Sequence, residues 1–288
     1  VNLVAFCDID VKKTAKYKKA FKNADVYKNY SDFLKDTNID AISICTPSGL
    51  HAKMALDALR AGKDIIIEKP IAMNVKDAMK IDEVATKMGC SVLPVMQNRF
   101  NDPIRVVKAG ITKCGRLLQI DASVFWYRPQ KYYNDGVHGT GKMDGGVLMN
   151  QGIHYVDIIN FFMGSQPQKV YADGGTLAHK MECEDTIILT LKYSDGRLGC
   201  LRANTISYPQ NFEGSVTLFY EKATIKISGT ALNKLEYWLG NGSLKEGEFN
   251  HKNSQDVYGH GHEQVYKNYY DYKMKKGKQY ITVGEAID

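Results

Sequence analysis

Asp64-Ile-Ile-Ile-Glu-Lys-Pro70 sets three isoleucines in a row and follows them with an acid, a lysine and a proline. A short continuous apolar run of this kind predicts a strand buried on both faces, as in a parallel sheet. Ligands of such sheets bind beyond the carboxyl ends of the strands, so Glu68 and Lys69 fall where chemistry is expected. Pro70 cannot extend the ladder and biases Lys69 away from helical angles. Read alone, Lys69 is either a solvated strand-end cation or a partly desolvated amine of lowered pKa that assists proton transfer.

Outward from this strand the first third repeats the theme. Asn2-Leu-Val-Ala-Phe-Cys7 ends in Asp8, and Ala41-Ile-Ser-Ile-Cys45 ends in Thr46-Pro47-Ser48. Ser91-Val-Leu-Pro-Val-Met96 leads into Gln97-Asn98-Arg99. Helices are expected up to Ala20, over 31–35, from Ser48 to Arg60 and from Val75 to Met88. Ser48 is the expected N-cap of the third, with Gly62 and Gly89 as stops. Strands alternating with helices predict βαβ units. In a dinucleotide fold the acid closing the second strand binds ribose, which places Asp8. The preceding strand, Gly-rich turn and helix are not among these residues, so the chain as written is expected to bind NAD poorly.

After residue 100 the pattern changes. Strands are expected at 117–127, 170–177, 186–193, 198–207, 215–220 and 223–227, with one helix, about 146–163, among them. Asp195-Gly196 between two strand runs signals a hairpin. Residues 240–261 read as a long polar loop and 264–274 as a closing helix; Gly284 to Asp288 read as the first turn of another. The expected fold is therefore α/β: a Rossmann-type parallel-sheet domain over 1–99, lacking its first βα unit. An α+β domain with a large, mainly antiparallel sheet follows over 100–288.

Composition narrows the function. The 288 residues are 44% hydrophobic, and the net charge of +6 is scattered. No basic stripe with interleaved aromatics is present, which argues against nucleic acid, while anionic small molecules suit the charge. The six cysteines form no CxxC or Cys/His cluster, so no metal site is expected. Cys7 and Cys45, inside apolar strand runs, read as small buried hydrophobes, which suggests a reducing, cytoplasmic setting. No apolar stretch is long enough to span a membrane.

Asp144-Gly-Gly-Val-Leu-Met-Asn-Gln-Gly-Ile-His-Tyr-Val-Asp157 carries the second signal. Asp144 suits a helix N-cap. Asn150, His154 and Asp157 then share one stripe of an otherwise apolar helix, where polar groups need partners or a purpose. His154 is either a satisfied core residue or a base whose tautomer its neighbours fix. The third signal is Phe125-Trp-Tyr-Arg-Pro-Gln-Lys-Tyr-Tyr133, in which aromatics beside Arg128 either pack a strand end or hold a base, sugar or phosphate.

EKP after a strand, the GG…N-x-x-x-H helix and a Rossmann-like front with an antiparallel rear resemble the Gfo/Idh/MocA oxidoreductase family. Thr46-Pro-Ser-Gly-Leu-His51, Gln97-Asn-Arg99, Trp126 to Tyr133, Asp144 to Asp157 and Glu184-Asp185-Thr186 are most similar to one subgroup. So are Ser207 to Gly214 and Asn233 to Trp238. That subgroup is the UDP-N-acetyl-2-amino-2-deoxyglucuronate 3-dehydrogenases of bacterial surface-polysaccharide synthesis. The resemblance implies NAD rather than NADP, with Asp8 on the adenosine ribose and Thr46, Pro47, Ser48 and His51 flanking the dinucleotide. Glu68 and Lys69 would lie beside the nicotinamide ribose and the substrate, and Gln97 would meet the cofactor.

It further implies His154 as general base, with Lys69 orienting the sugar hydroxyl. Asn150, where many members carry Asp, is expected to orient substrate with Arg99, Arg128 and Tyr133. Val137-His138-Gly139-Thr140-Gly141 departs from the subgroup's W-R-G-T-W, which is expected to loosen cofactor or substrate contacts. The implied partners are a nucleotide sugar, 2-oxoglutarate as second substrate, and further copies of the chain in a homodimer or homotetramer. A free-sugar or inositol dehydrogenase, and a non-catalytic dinucleotide or sugar sensor, are the alternatives.

Overall fold

The computed structural model describes residues 2–242 and 259–287. Its first part alternates β1 (Ala5–Cys7), α1 (Val11–Ala20), β2 (Asp25–Tyr27), α2 (Tyr30–Lys35), β3 (Ala41–Ile44), α3 (Ser48–Arg60), β4 (Asp64–Ile67), α4 (Val75–Met88) and β5 (Val92–Pro94). β3, β4 and β5 form one parallel sheet with β4 in the middle, and β1 pairs in parallel with β2. β1 and β3 are not paired; a groove of about 500 Å³ lies between them.

β4 explains the sheet's position. Ile65, Ile66 and Ile67 are 0–4% exposed, so both faces of the strand are covered. Burying each such side chain contributes roughly 1.5–3 kcal/mol. Ile65 and Ile67 are covered by α3, through Ala55, Ala58 and Leu59, and α4, through Ala78, Ile81 and Val84, while Ile66 faces a second core with Leu93 and Val265. Both helices stop at glycines of positive φ, Gly62 at 73° and Gly89 at 67°, which glycine adopts without the Cβ clash. Ser48 is not the N-cap of α3. Pro47 occupies that position and no side chain caps the turn.

A 3₁₀ turn (Gln97–Phe100) and α5 (Asp102–Gly110) lead into β6 (Leu117–Phe125). A π-helical turn (Leu148–Gly152) then runs straight into α6 (Ile153–Met163). The strands β7 (Lys169–Gly175), β8 (Thr186–Lys192), β9 (Leu198–Asn204), β10 (Glu213–Tyr220), β11 (Ala223–Ser228) and β12 (Lys234–Gly240) follow. With β6 they form a seven-stranded sheet in the order β12-β11-β10-β6-β9-β8-β7, antiparallel except for the β6/β9 pair. α6 packs Ile158, Ile159 and Phe162 into one core with Ile120, Val124, Leu201 and Leu218 of the sheet. Gly196, at φ 87°, turns the β8/β9 hairpin. β2, α5 and β12 were not expected from the sequence.

The domain assignment 100–288 needs correction. α7 (Gly261–Lys273) and α8 (Val283–Ile287) return to the first sheet instead of staying with the second. Val265 and Ile281 share a core with Ile66 and Leu93. The Tyr269 hydroxyl donates to Asp64 at 2.8 Å, and the Gln279 amide donates to the Val92 carbonyl at 2.7 Å. Most of the loop expected over 240–261 lies outside the described residues. Among the described residues no helix is long and apolar enough to cross a membrane, and no group of His, Cys, Asp or Glu could hold a metal ion. All six cysteines are free.

Candidate active site

The carboxyl ends of β3, β4 and β5 open into a cavity of about 530 Å³, closed from the other side by the π-helical turn, α6 and the loop after β6. Thr46, Pro47, Ser48, Glu68, Lys69, Gln97, Arg128, Asn150 and His154 all line it. The strand ends supply the first six of these. α3 begins directly against the second unit: Gly49 N–H donates to the Met143 carbonyl at 3.0 Å, and a Cβ at Gly49 would lie 2.2 Å from the Lys142 oxygen.

Lys69 crosses from one unit to the other. Its ammonium donates to the Asn150 carbonyl at 2.8 Å and to the Asn150 side-chain oxygen at 3.2 Å. The Asn150 amide nitrogen donates to Asp144 at 2.7 Å, which fixes the orientation of the amide. Burial lowers the Lys69 pKa, and the nearby Glu68 and Asp144 carboxylates oppose that shift. His154 follows on α6. Burial, then the Lys69 cation, then His262 hold its pKa well below the ordinary value, so the ring is neutral at pH 7. Among the described residues nothing hydrogen-bonds the His154 ring.

Asp144 does not cap this helix. Its carboxylate accepts from Gly139 N–H at 2.8 Å and from Asn150. The cap is Glu184, whose carboxylate accepts from Leu148 N–H at 3.0 Å and whose carbonyl accepts from Val147 N–H at 2.9 Å. The Glu184 carboxyl fills the space a side chain at residue 146 would need, 2.2 Å from an added Cβ. Gly146→Ala is therefore expected to displace the cap and lower stability by about 1–2 kcal/mol, measurable by denaturant titration. An unchanged midpoint would show that Glu184 gives way freely.

Three expected residues play other parts. Arg99 does not reach the cavity. It is 2% exposed and forms ion pairs with Asp157 at 2.7 Å and Glu285 at 2.8 Å, so its donors are spent inside the fold. Asp157 consequently serves Arg99, not His154. Tyr133 packs behind the cavity wall, its hydroxyl 2.7 Å from Thr205 and its ring on His179. His51 reaches the cavity edge, yet both ring nitrogens face backbone carbonyls, Pro70 at 2.6 Å and Thr46 at 2.8 Å. It clamps the two strand-end turns together. Asp8 lies in the adjoining groove between β1 and β3, which shares Cys45 and Thr46 with the cavity.

Two groups were missed. His262, at the start of α7, lines the cavity with Nε2 3.4 Å from the Glu68 carboxylate. No sequence signal tied it to a strand end nearly two hundred residues earlier. Trp126 also lines the cavity; it was quoted within a motif but given no role. The arrangement offers a neutral imidazole and a desolvated amine facing one space, with the buried side-chain amide oxygen of Gln97 lacking a partner among the described residues. An unmatched acceptor at a strand end suits a ligand amide or hydroxyl donor.

Parallel-sheet strand ends closed by a helix on a large mixed sheet make a two-unit nucleotide-binding scaffold, and comparison with known proteins agrees. Residues 1–95 match the oxidoreductase family GFO_IDH_MocA, NAD-binding Rossmann fold, and residues 105–226 match the GFO/IDH/MocA C-terminal domain. Among solved structures, the WlbA dehydrogenase from Bordetella pertussis in complex with NADH and UDP-GlcNAcA superposes with a TM-score of 0.87 at 30% identity, covering 99% of this chain and 84% of that one. The uncharacterized oxidoreductase YrbE of Bacillus subtilis is 27% identical over 74% of this chain and 63% of its own length. The myo-inositol 2-dehydrogenase of Thermotoga maritima is 23% identical over 73% of this chain and 64% of its own. The chain thus spans less than two thirds of these curated relatives. It belongs to the Gfo/Idh/MocA oxidoreductase family.

Proposed function

We propose that the complete protein is an NAD-dependent dehydrogenase that oxidises a secondary hydroxyl, C3, of a UDP-linked N-acetyl amino sugar uronate. The observation that carries this reading is that Lys69 and His154 line one cavity at the strand ends with the imidazole held neutral. The likeness to a structure holding NADH and UDP-GlcNAcA supports the substrate class. Asp8, Thr46 to Ser48, Glu68 and Gln97 would hold the cofactor, which when bound accepts the hydride. His154 takes the hydroxyl proton, and its neutrality leaves a lone pair for that task. Lys69 donates to the same oxygen and steadies the charge that develops there. Asn150, fixed by Asp144, keeps the Lys69 amine aimed.

Incubating the complete protein with NAD and UDP-N-acetylglucosaminuronate, with and without 2-oxoglutarate as reoxidant, tests this. A 3-keto sugar by mass spectrometry is the expected product, and its absence under both conditions would remove the reading. The inositol dehydrogenase among the relatives favours a second reading, oxidation of a free polyol. Uridine diphosphate alone should raise the melting temperature if the nucleotide is recognised; no shift would favour the polyol.

The pKa directions give a pH dependence. A base with a depressed pKa stays unprotonated further into acid, so kcat/KM should hold its plateau below pH 6.5, the ordinary value for histidine. Its alkaline limb should fall below 10.5, because burial also lowers Lys69. An acid limb centred above pH 7 would contradict the assignment of His154.

A further inference from the structure

We infer that His262 is a positioning residue of the cofactor site, which orients the Glu68 carboxylate toward the ribose of the bound dinucleotide. The inference rests on the cofactor part of the reading above and not on the sugar. His262 and Glu68 line the same cavity with side chains 32% and 27% exposed, so both are open to a ligand. His262 Nε2 lies 3.4 Å from one Glu68 carboxylate oxygen, and the other oxygen accepts from the Lys69 backbone N–H at 3.3 Å. A carboxylate only accepts, so the ring is the donor of the pair. The Lys69 ammonium is committed to Asn150, which leaves His262 as the basic side chain that pairs with Glu68 among the described residues. Held at both oxygens, the carboxylate keeps one direction. Its remaining lone pairs suit two neighbouring hydroxyl donors, the pattern a ribose diol offers.

The fold builds the placement of this ring. Gly261 opens α7, and a Cβ there would collide with the Gln97 carbonyl oxygen, so the helix starts hard against the 3₁₀ turn after β5. One turn on, Val265 is fully buried in a core with Ile66 and Leu93, and the Tyr266 hydroxyl lies 2.7 Å from the Ser43 hydroxyl of β3. Two turns on, Tyr269 holds Asp64 at the start of β4. These contacts fix the axis of α7 across the front sheet. Of the residues of α7, His262 alone lines the cavity. The same ring comes close enough to His154 to help hold that imidazole neutral, so it faces the reacting end of the site. A helix made last in the chain thus supplies a polar group to a strand end made early.

A double-mutant cycle on the complete protein tests this, read as the Kd for NADH from its fluorescence with no sugar present. His262→Ala is expected to weaken binding about threefold, the scale of a partly exposed ion pair. Glu68→Gln is expected to weaken it about tenfold. In the Glu68→Gln background, His262→Ala should cost less than about 1.5-fold, because the carboxylate it acts through is gone. His262→Gln keeps a donor and should recover most of the affinity. If His262→Ala does not fold, His262→Asn, too short to reach the carboxylate, takes its place in the cycle. Wild-type affinity in His262→Ala would overturn the inference. So would a loss of equal size in both backgrounds, which would assign the ring to packing or to direct contact with the dinucleotide. A wild-type protein that does not bind NADH would remove the inference together with the cofactor assignment. Absence of the 3-keto sugar in the assay above bears on the sugar alone, so the two failures are distinguishable.

Discussion

Arg99→Met is expected to lower the stability of the protein by about 3–5 kcal/mol, read as a fall of roughly 10 °C in melting temperature. The Arg99 and Asp157 side chains are 3% and 4% exposed, and the arginine holds the carboxylate through Nε at 2.9 and 3.1 Å and a second nitrogen at 2.7 Å. A third nitrogen reaches Glu285 of α8, and the guanidinium lies over the Phe161 ring at 4.9 Å. Burial pushes the Asp157 carboxyl up to about 6 even with the arginine in place, which leaves it ionised at neutral pH. Methionine would strand that charge in the core.

The sign with pH follows. Asp157 takes up a proton in the fold more readily than in the unfolded chain, so the ion pair is complete at pH 7 and is lost as pH falls through 6. The defect of the variant should therefore shrink on acidification from pH 7 to pH 5. Adding Asp157→Leu should recover part of the loss, because an apolar pair needs no compensation. A single variant melting within about 2 °C of wild type would refute the account.

The second large effect falls on turnover. Lys69→Met and His154→Gln should each lower kcat about 10²- to 10⁴-fold, the usual worth of a positioned proton donor or acceptor. The two need not be equal. Loss of His154 removes the base and leaves the Lys69–Asn150 contacts in place, whereas loss of Lys69 also deprives the two Asn150 oxygens of their donor. KM for NAD should move little in His154→Gln and more in Lys69→Met, since Lys69 adjoins Glu68 at the strand end. Melting curves separate a dead fold from a dead site. Either variant keeping a tenth of wild-type kcat would exclude that side chain from the chemistry.

The parallel front was legible chiefly because β4 and β5 are buried on both faces and read as unbroken apolar runs, with Ile65 to Ile67 the clearest. The site was legible where a strand end and a helix each announced a polar group: Lys69, Asn150 and His154 meet as the sequence suggested. Arg99 and Asp157 misled because both sat beside expected site residues in the chain. Sequence spacing cannot say that two buried opposite charges will choose each other over a ligand. The regular i, i+4, i+7 stripe was also disturbed by the π-helical turn at Leu148–Gly152, which no composition signal marked. Glu184 was invisible as a cap because it arrives from the end of a different segment, 36 residues beyond Leu148. β2 spans three residues and β12 reads as mixed polar, so neither carries a period long enough to detect.

The return of α7 and α8 has a bearing on how the molecule is made. On the ribosome the front sheet emerges early, but Ile66 and Leu93 receive Val265 and Ile281 only after the whole antiparallel sheet has been synthesised. Until then one flank of the nascent front lies open to water, and premature pairing there would trap the chain. The two units are thus not beads on a string that mature in turn. The front sheet cannot complete its core until α7 and α8 have been made.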